Sequence, residues 1–114
     1  MPLSSPNVRN VFVRAYQTER QVTQRQAYAL LTTIAQDFGY TILAKKGHTF
    51  SSNGVTALLL LGESHISLHS WPEARFAVIE MVTCKSFGKA ELKRFLSHIQ
   101  TALLPKRLHP ILNT

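Results

Sequence analysis

Seven residues, Val55-Thr56-Ala57-Leu58-Leu59-Leu60-Leu61, form a nearly unbroken apolar run that ends abruptly in Gly62-Glu63-Ser64-His65. The run is too apolar for a strand with one wet face, so it is expected to be buried on both sides. It falls far short of the roughly 20 residues that a membrane-spanning helix needs. The next segment, His65-Ile66-Ser67-Leu68-His69-Ser70, alternates as a short strand does. Trp71-Pro72 stops it, because proline cannot donate to a ladder. Polar and ionisable groups at the end of a buried strand cost desolvation energy unless they are paired. Such placements concentrate at active sites.

The rest of the chain supplies a frame for this segment. Residues 1–7 are polar with two prolines and read as a loose arm. Asn10 to Tyr16 is β-branched and aromatic, a first strand. Thr23-Gln24-Arg25-Gln26 has the form of a capping box. After it, Ala27, Leu30, Leu31, Ile34, Ala35 and Phe38 recur at helical spacing up to Gly39, a natural helix stop. Tyr40 to Ala44 reads as a second strand, and Lys45-Lys46-Gly47 as a turn. Phe76 to Cys84 is a further strand, with Ala77, Ile79, Met81 and Thr83 on one face and Phe76, Val78, Glu80, Val82 and Cys84 on the other. A final helix carries Leu92, Phe95, Leu96, Ile99 and Leu103, and Pro105 ends it. The order predicts an α+β fold: an antiparallel sheet with two helices on one face. The uncovered sheet face then invites a partner sheet.

At 114 residues the chain suits a single domain spanning 1–114, with pairing to a second copy as a reasonable expectation. Its one cysteine, Cys84, cannot close an internal disulfide, and Met1 to Pro6 lacks the layout of a secretory signal. Both features lead to an expectation of cytoplasmic location and no membrane. The net charge of +7 raises the question of nucleic acid, but the basic residues are scattered. Lys85, Lys89 and Lys93 form one local stripe, read as a solvated helix face, with nucleic-acid binding as its competitor.

Several chemistries can be set against Glu63 to Glu73. Zinc would suit His65, His69 and Cys84. His65 and His69 are four residues apart on a strand, however, too far to share an ion, and no Cys-x-x-Cys is present; no metal is expected. Ser64 or Cys84 could act as a nucleophile beside a histidine, but no Gly-x-Ser-x-Gly elbow exists. No glycine-rich phosphate loop exists either.

The stretch Glu63-Ser64-His65-Ile66-Ser67-Leu68-His69-Ser70-Trp71-Pro72-Glu73 closely resembles the self-cleavage signature of the small pyruvoyl-dependent S-adenosylmethionine decarboxylases of bacteria and archaea. The family's usual form is Glu-Ser-His-(Ile/Leu)-(Ser/Ala)-(Ile/Leu)-His-Thr-Trp-Pro-Glu. Around it, Gly54-Val55-Thr56-Ala57 stands for Gly-Val-Ser-Gly, His48-Thr49-Phe50 for His-x-Phe, and Thr83-Cys84-Lys85 for Thr-Cys-Gly. The resemblance covers about residues 48–84.

The resemblance implies that the chain cuts itself between Glu63 and Ser64, giving a β chain of residues 1–63 and an α chain of residues 64–114. Ser64 would become the cofactor, a pyruvoyl group. Its ketone forms a Schiff base with the substrate amine and acts as the electron sink that amino-acid decarboxylation requires. His69 then matches the histidine that assists processing, and Cys84 the proton donor after carbon dioxide leaves. Phe50 and Trp71 match aromatic positions of the substrate pocket, and Glu73 an acidic group for ribose hydroxyls. The implied substrate is S-adenosylmethionine, whose decarboxylated form donates aminopropyl groups for spermidine. The implied assembly is a homodimer with sheets packed together and shared sites.

The sequence departs from the family pattern in places. The chain is strongly basic, Ala57 and Lys85 replace glycines, Ser51-Ser52-Asn53 lacks a proline, and Arg14 stands where an acidic residue is usual. A pyruvoyl-dependent arginine or ornithine decarboxylase on the same fold is therefore the alternative, with Trp71 and Glu73 favouring the nucleoside.

Overall fold

A computed structural model describes residues 10–17, 21–83, 88–103 and 107–108, with side chains for 21–83 and 88–103. The expected N-terminal arm, Cys84, Lys85 and Pro105 lie outside the described residues.

Helix α1 runs Gln24–Asp37, and its start is the capping box that the sequence predicts. The Gln26 amide donates to Thr23 Oγ1 at 3.1 Å, and the Thr23 amide donates to Gln26 Oε1 at 2.9 Å. Two end-of-helix donors are thereby satisfied. At the other end Gly39 takes φ 74°, the left-handed region that glycine reaches most cheaply. The chain reverses there, and the Tyr40 amide donates to the Ala35 carbonyl at 2.9 Å. Helix α2 runs Lys89–Leu103 and buries Phe95, Ile99 and Leu103.

Six strands follow chain order as β1 (Asn10–Gln17), β2 (Ile42–Thr49), β3 (Val55–Leu61), β4 (Ser64–Trp71), β5 (Phe76–Thr83) and β6 (Arg107–Leu108). They form one sheet in the order β2-β3-β4-β5-β1-β6. Every neighbouring pair is antiparallel. One core holds the inward residues of α1 and α2 together with Val55, Ala57, Leu59 and Leu61 of β3, Ile66 and Leu68 of β4, and Ile79 and Met81 of β5. Each fully buried leucine or isoleucine is worth about 1.5–3 kcal/mol of transfer free energy. The predicted α+β arrangement is what the chain adopts, with the alternation of β5 as read.

Two expectations are corrected. Lys45-Lys46-Gly47 is not a turn; β2 continues through it to Thr49, and the chain turns at Ser51–Asn53 instead. Gly47 serves close packing: a Cβ there would lie 2.5 Å from Tyr28 Oη. Nor is β3 buried on both sides in the single chain. Leu58 and Leu60 stay 37% and 49% exposed on the face away from the helices. The helices cover one face, and among the described residues nothing covers the other. No helix of the described residues is long and apolar enough to cross a membrane.

Candidate active site

Strands β3 and β4 form a hairpin around the two-residue loop Gly62-Glu63, with Leu61 opposite Ser64 and Val55 opposite Ser70. This register puts Thr56 opposite His69 on the open face of the sheet. Thr56 Oγ1 lies 3.1 Å from His69 Nδ1. When the hydroxyl donates into Nδ1, the ring proton sits on Nε2; in the other tautomer Nδ1–H donates to the hydroxyl. Either way the bond fixes the ring's orientation.

The His69 ring stacks on Trp71 with centroids 6.1 Å apart and planes 26° apart. Trp71 in turn leans on Phe76 at 5.7 Å. Across the hairpin, His48 meets Phe50 edge-on at 4.6 Å. The chain between Phe50 and Gly54 closes on itself: the Phe50 amide donates to the Gly54 carbonyl at 2.8 Å, and the Asn53 amide to the Phe50 carbonyl at 2.9 Å. Gly54 passes so near β4 that a Cβ would lie 3.0 Å from the Ser70 carbonyl oxygen. These elements bound a hollow of about 430 Å³ lined by Phe50, Ser51, Ser52, Thr56, His69 and Trp71 among others. Phe50 and Trp71 are 48% and 42% exposed, so two aromatic surfaces of this hollow remain open to a ligand. Flat aromatic faces of this kind take planar rings and cations.

Ser64 begins β4 and is half-buried. Its hydroxyl donates to the Val82 carbonyl of β5. The residue before it, Glu63, takes φ 58°, in the left-handed region. The Gly62 amide anchors the loop by donating to the Thr41 carbonyl at 3.0 Å.

Of the residues singled out from the sequence, the fold gathers Phe50, His69 and Trp71 around one hollow. Ser64 is elsewhere. It lies five residues from His69 along β4, about 16 Å at the strand rise, and an odd separation points the two side chains to opposite faces. Glu63 is on the exposed loop. Glu73 sits exposed in the 3-10 turn Pro72–Ala74 and does not line the hollow. Cys84 is outside the described residues.

Thr56 is the residue whose role the sequence reading passed over. Its signal was present: a two-residue loop at Gly62-Glu63 fixes the pairing and hence sets Thr56 against His69. His65 Nε2 pairs with Glu80 Oε1 at 2.8 Å on the same open face. Four residues along β4, about 13 Å, separate His65 from His69. Among the described residues no group of three or more His, Cys, Asp or Glu could hold a metal. Away from the site, Asp37 joins the helices by binding Arg94 at 2.7 Å and His98 at 2.8 Å. The hydrogen bond from Arg94, then that from His98, holds the Asp37 carboxyl below the usual 3.8.

Known proteins place this geometry in context. A family profile described as S-adenosylmethionine decarboxylase matches residues 9–110. The S-adenosylmethionine decarboxylase proenzyme of Parasynechococcus marenigrum (strain WH8102) is 48% identical over 54 residues, which cover 47% of this chain and 42% of that one. The proenzyme of Sulfurihydrogenibium sp. (strain YO3AOP1) is 38% identical over 80 residues, covering 70% of this chain and 59% of its own. The matched stretches thus span from under half to under two thirds of these relatives' length. The crystal structure of the adenosylmethionine decarboxylase from Aquifex aeolicus vf5 superimposes with a TM-score of 0.65 at 26% identity, covering 87% of this chain and 83% of that one.

Proposed function

The chain belongs to the S-adenosylmethionine decarboxylase family, and on that premise we propose that it is a self-processing, pyruvoyl-dependent decarboxylase acting on S-adenosylmethionine. The observation that carries the reading is the Thr56–His69–Trp71 arrangement beside Phe50: an oriented imidazole and open aromatic faces bordering one hollow.

In the processing step, Ser64 Oγ attacks the Glu63 carbonyl carbon. The Glu63–Ser64 C–N bond breaks, the acyl group passes to oxygen, and the hydroxyl proton ends on the freed amine. Loss of the Ser64 α proton then expels the Glu63 carboxylate from Cβ, and water replaces the nitrogen as ammonia. The residues present suit such a cofactor. The bond to be cut lies at an exposed loop, so both new ends can part without opening the core, and the half-buried Ser64 hydroxyl is already held by the Val82 carbonyl. A ketone at that position supplies the electron sink for the carbanion.

The other residues bind and move protons. Phe50 and Trp71 offer π faces to the adenine ring and the sulfonium charge. Glu73, just past Trp71, is free in the exposed turn to take ribose hydroxyls. His69 acts as the base that removes the α proton during elimination, with Thr56 holding its ring in place. Cys84 returns a proton to the substrate carbon.

His69 and Ser64 of one chain are about 16 Å apart on opposite faces, too far for this proton transfer. The same reading therefore includes a homodimer in which a second copy lies on the open face and His69 reaches the hairpin end of its neighbour's β4, where it takes the backbone α proton of Ser64 and not the proton of the inward-pointing hydroxyl. The exposed Leu58 and Leu60 favour burial in such a contact. We place the enzyme in the cytoplasm, supplying the aminopropyl donor for spermidine.

Carbon dioxide release from S-adenosylmethionine, arginine and ornithine, each carboxyl-labelled, tests the substrate. Release from S-adenosylmethionine alone is expected. Release from arginine or ornithine alone would replace this substrate while keeping the chemistry.

A further inference from the structure

The two-residue loop of the β3–β4 hairpin is built against its own chemistry. Tight hairpin loops need positive φ, and glycine is the residue that supplies it at little cost. Here the loop is Gly62-Glu63, yet the glycine is not the residue with positive φ; Glu63 is, at 58°. Gly62 is held by its amide bond to the Thr41 carbonyl, which ties the loop to the segment leading into β2. Ser64 is held by the ladder opposite Leu61 and by its hydroxyl bond to Val82. Glu63, fixed on both sides, takes the conformation that remains. Its side chain is exposed, so no burial rewards the arrangement.

For an L-residue, the left-handed conformation is unfavourable because positive φ turns Cβ into neighbouring backbone, here the Gly62 peptide group. Glu63 itself carries the carbonyl that Ser64 attacks. Attack makes this carbon tetrahedral and moves its oxygen out of the peptide plane; breaking the C–N bond then frees Glu63 from the loop. We propose that Glu63 is a positioning residue whose strained backbone, one residue before the bond that breaks, raises the precursor's energy and so accelerates self-cleavage. The inference rests on the self-processing reading above and adds a specific source of its driving force. Cβ carries the effect, and the carboxylate does not.

Two measurements test it. In the first, freshly translated chains are chased on gels to give cleavage rates for the parent and for Glu63→Ala, Glu63→Asn and Glu63→Gly. Glycine removes the Cβ crowding, asparagine tolerates the left-handed region, and alanine keeps the crowding without the carboxylate. The expected order is Ala fastest of the three, then Asn, with Gly about tenfold slower than Ala, equivalent to ~1.4 kcal/mol in the barrier. In the second, urea unfolding is compared for Ser64→Ala and Ser64→Ala/Glu63→Gly, which remain uncut. The glycine variant is expected to be the more stable, its folded-to-unfolded ratio about tenfold higher. Slower cleavage together with a more stable precursor is a split that mere loosening of the loop would not produce. Glu63→Gly cleaving as fast as Glu63→Ala, or Ser64→Ala/Glu63→Gly being no more stable than Ser64→Ala, would overturn the inference while leaving self-processing intact. A parent chain that never cleaves would overturn both.

Discussion

A single hydroxyl fixes how the His69 ring is oriented. Thr56→Val keeps the shape of the side chain and removes the bond to Nδ1. A hydrogen bond of this kind is worth about 1 kcal/mol, so the step served by His69 should slow roughly fivefold. Gel-based cleavage rates check this, and a urea midpoint close to the parent's shows that the fold is kept. Cys84→Ala is expected to form both fragments and yet lose most turnover with S-adenosylmethionine; wild-type turnover would remove the role given to Cys84. At this scale much of the site was legible. His69, Trp71 and Phe50 stand out because rare residue types occur in a fixed order. The Thr56 contact was legible only by joining two strands that were read separately, through the register imposed by Gly62-Glu63. The left-handed Glu63 was not legible, since turn chemistry would assign positive φ to the adjacent glycine.

Among the elements, α1 is the one whose boundaries the sequence states outright. Its capping box closes in both directions. Thr23→Ala should therefore cost about 1 kcal/mol of stability, measured by chemical denaturation. Strand β2 was misread because Lys-Lys-Gly has turn composition. Its glycine instead makes room for Tyr28, and its lysines lie on an exposed edge strand, where charge discourages further pairing. The helices are fastened to each other by Asp37, Arg94 and His98. Asp37 has its carboxyl held below 3.8 in the folded chain, chiefly by the Arg94 hydrogen bond. Because that group binds its proton less tightly when folded, its contribution is present above the unfolded value and is lost as pH falls through the folded one. Asp37→Asn should thus be less stable than the parent at neutral pH, and the difference should vanish well below pH 3.8. A difference that persists unchanged in acid would assign the helix contact to packing instead.

For the molecule as a whole, the described residues put one face of the sheet under helices and leave the other open. The alternation of β5 and the number of helical segments foretold this. The apolar run of β3 implied more: burial on both sides, which the single chain does not provide. A second copy on the open face would supply it, and would also explain how His69 meets a Ser64 that its own strand keeps about 16 Å away. Leu60→Glu puts a charge on that face. The variant should sediment as a single chain where the parent sediments at twice that mass, and its cleavage should slow. Single-chain sedimentation of the parent would contradict the shared site.

The account turns on the Glu63–Ser64 bond, and the intact mass of the purified protein reads that bond directly. Two species are predicted, residues 1–63 ending in a free carboxylate and residues 64–114 beginning with a ketone that hydride and an amine trap covalently. A single mass for the uncut 114-residue chain, untouched by hydride and amine, would contradict it.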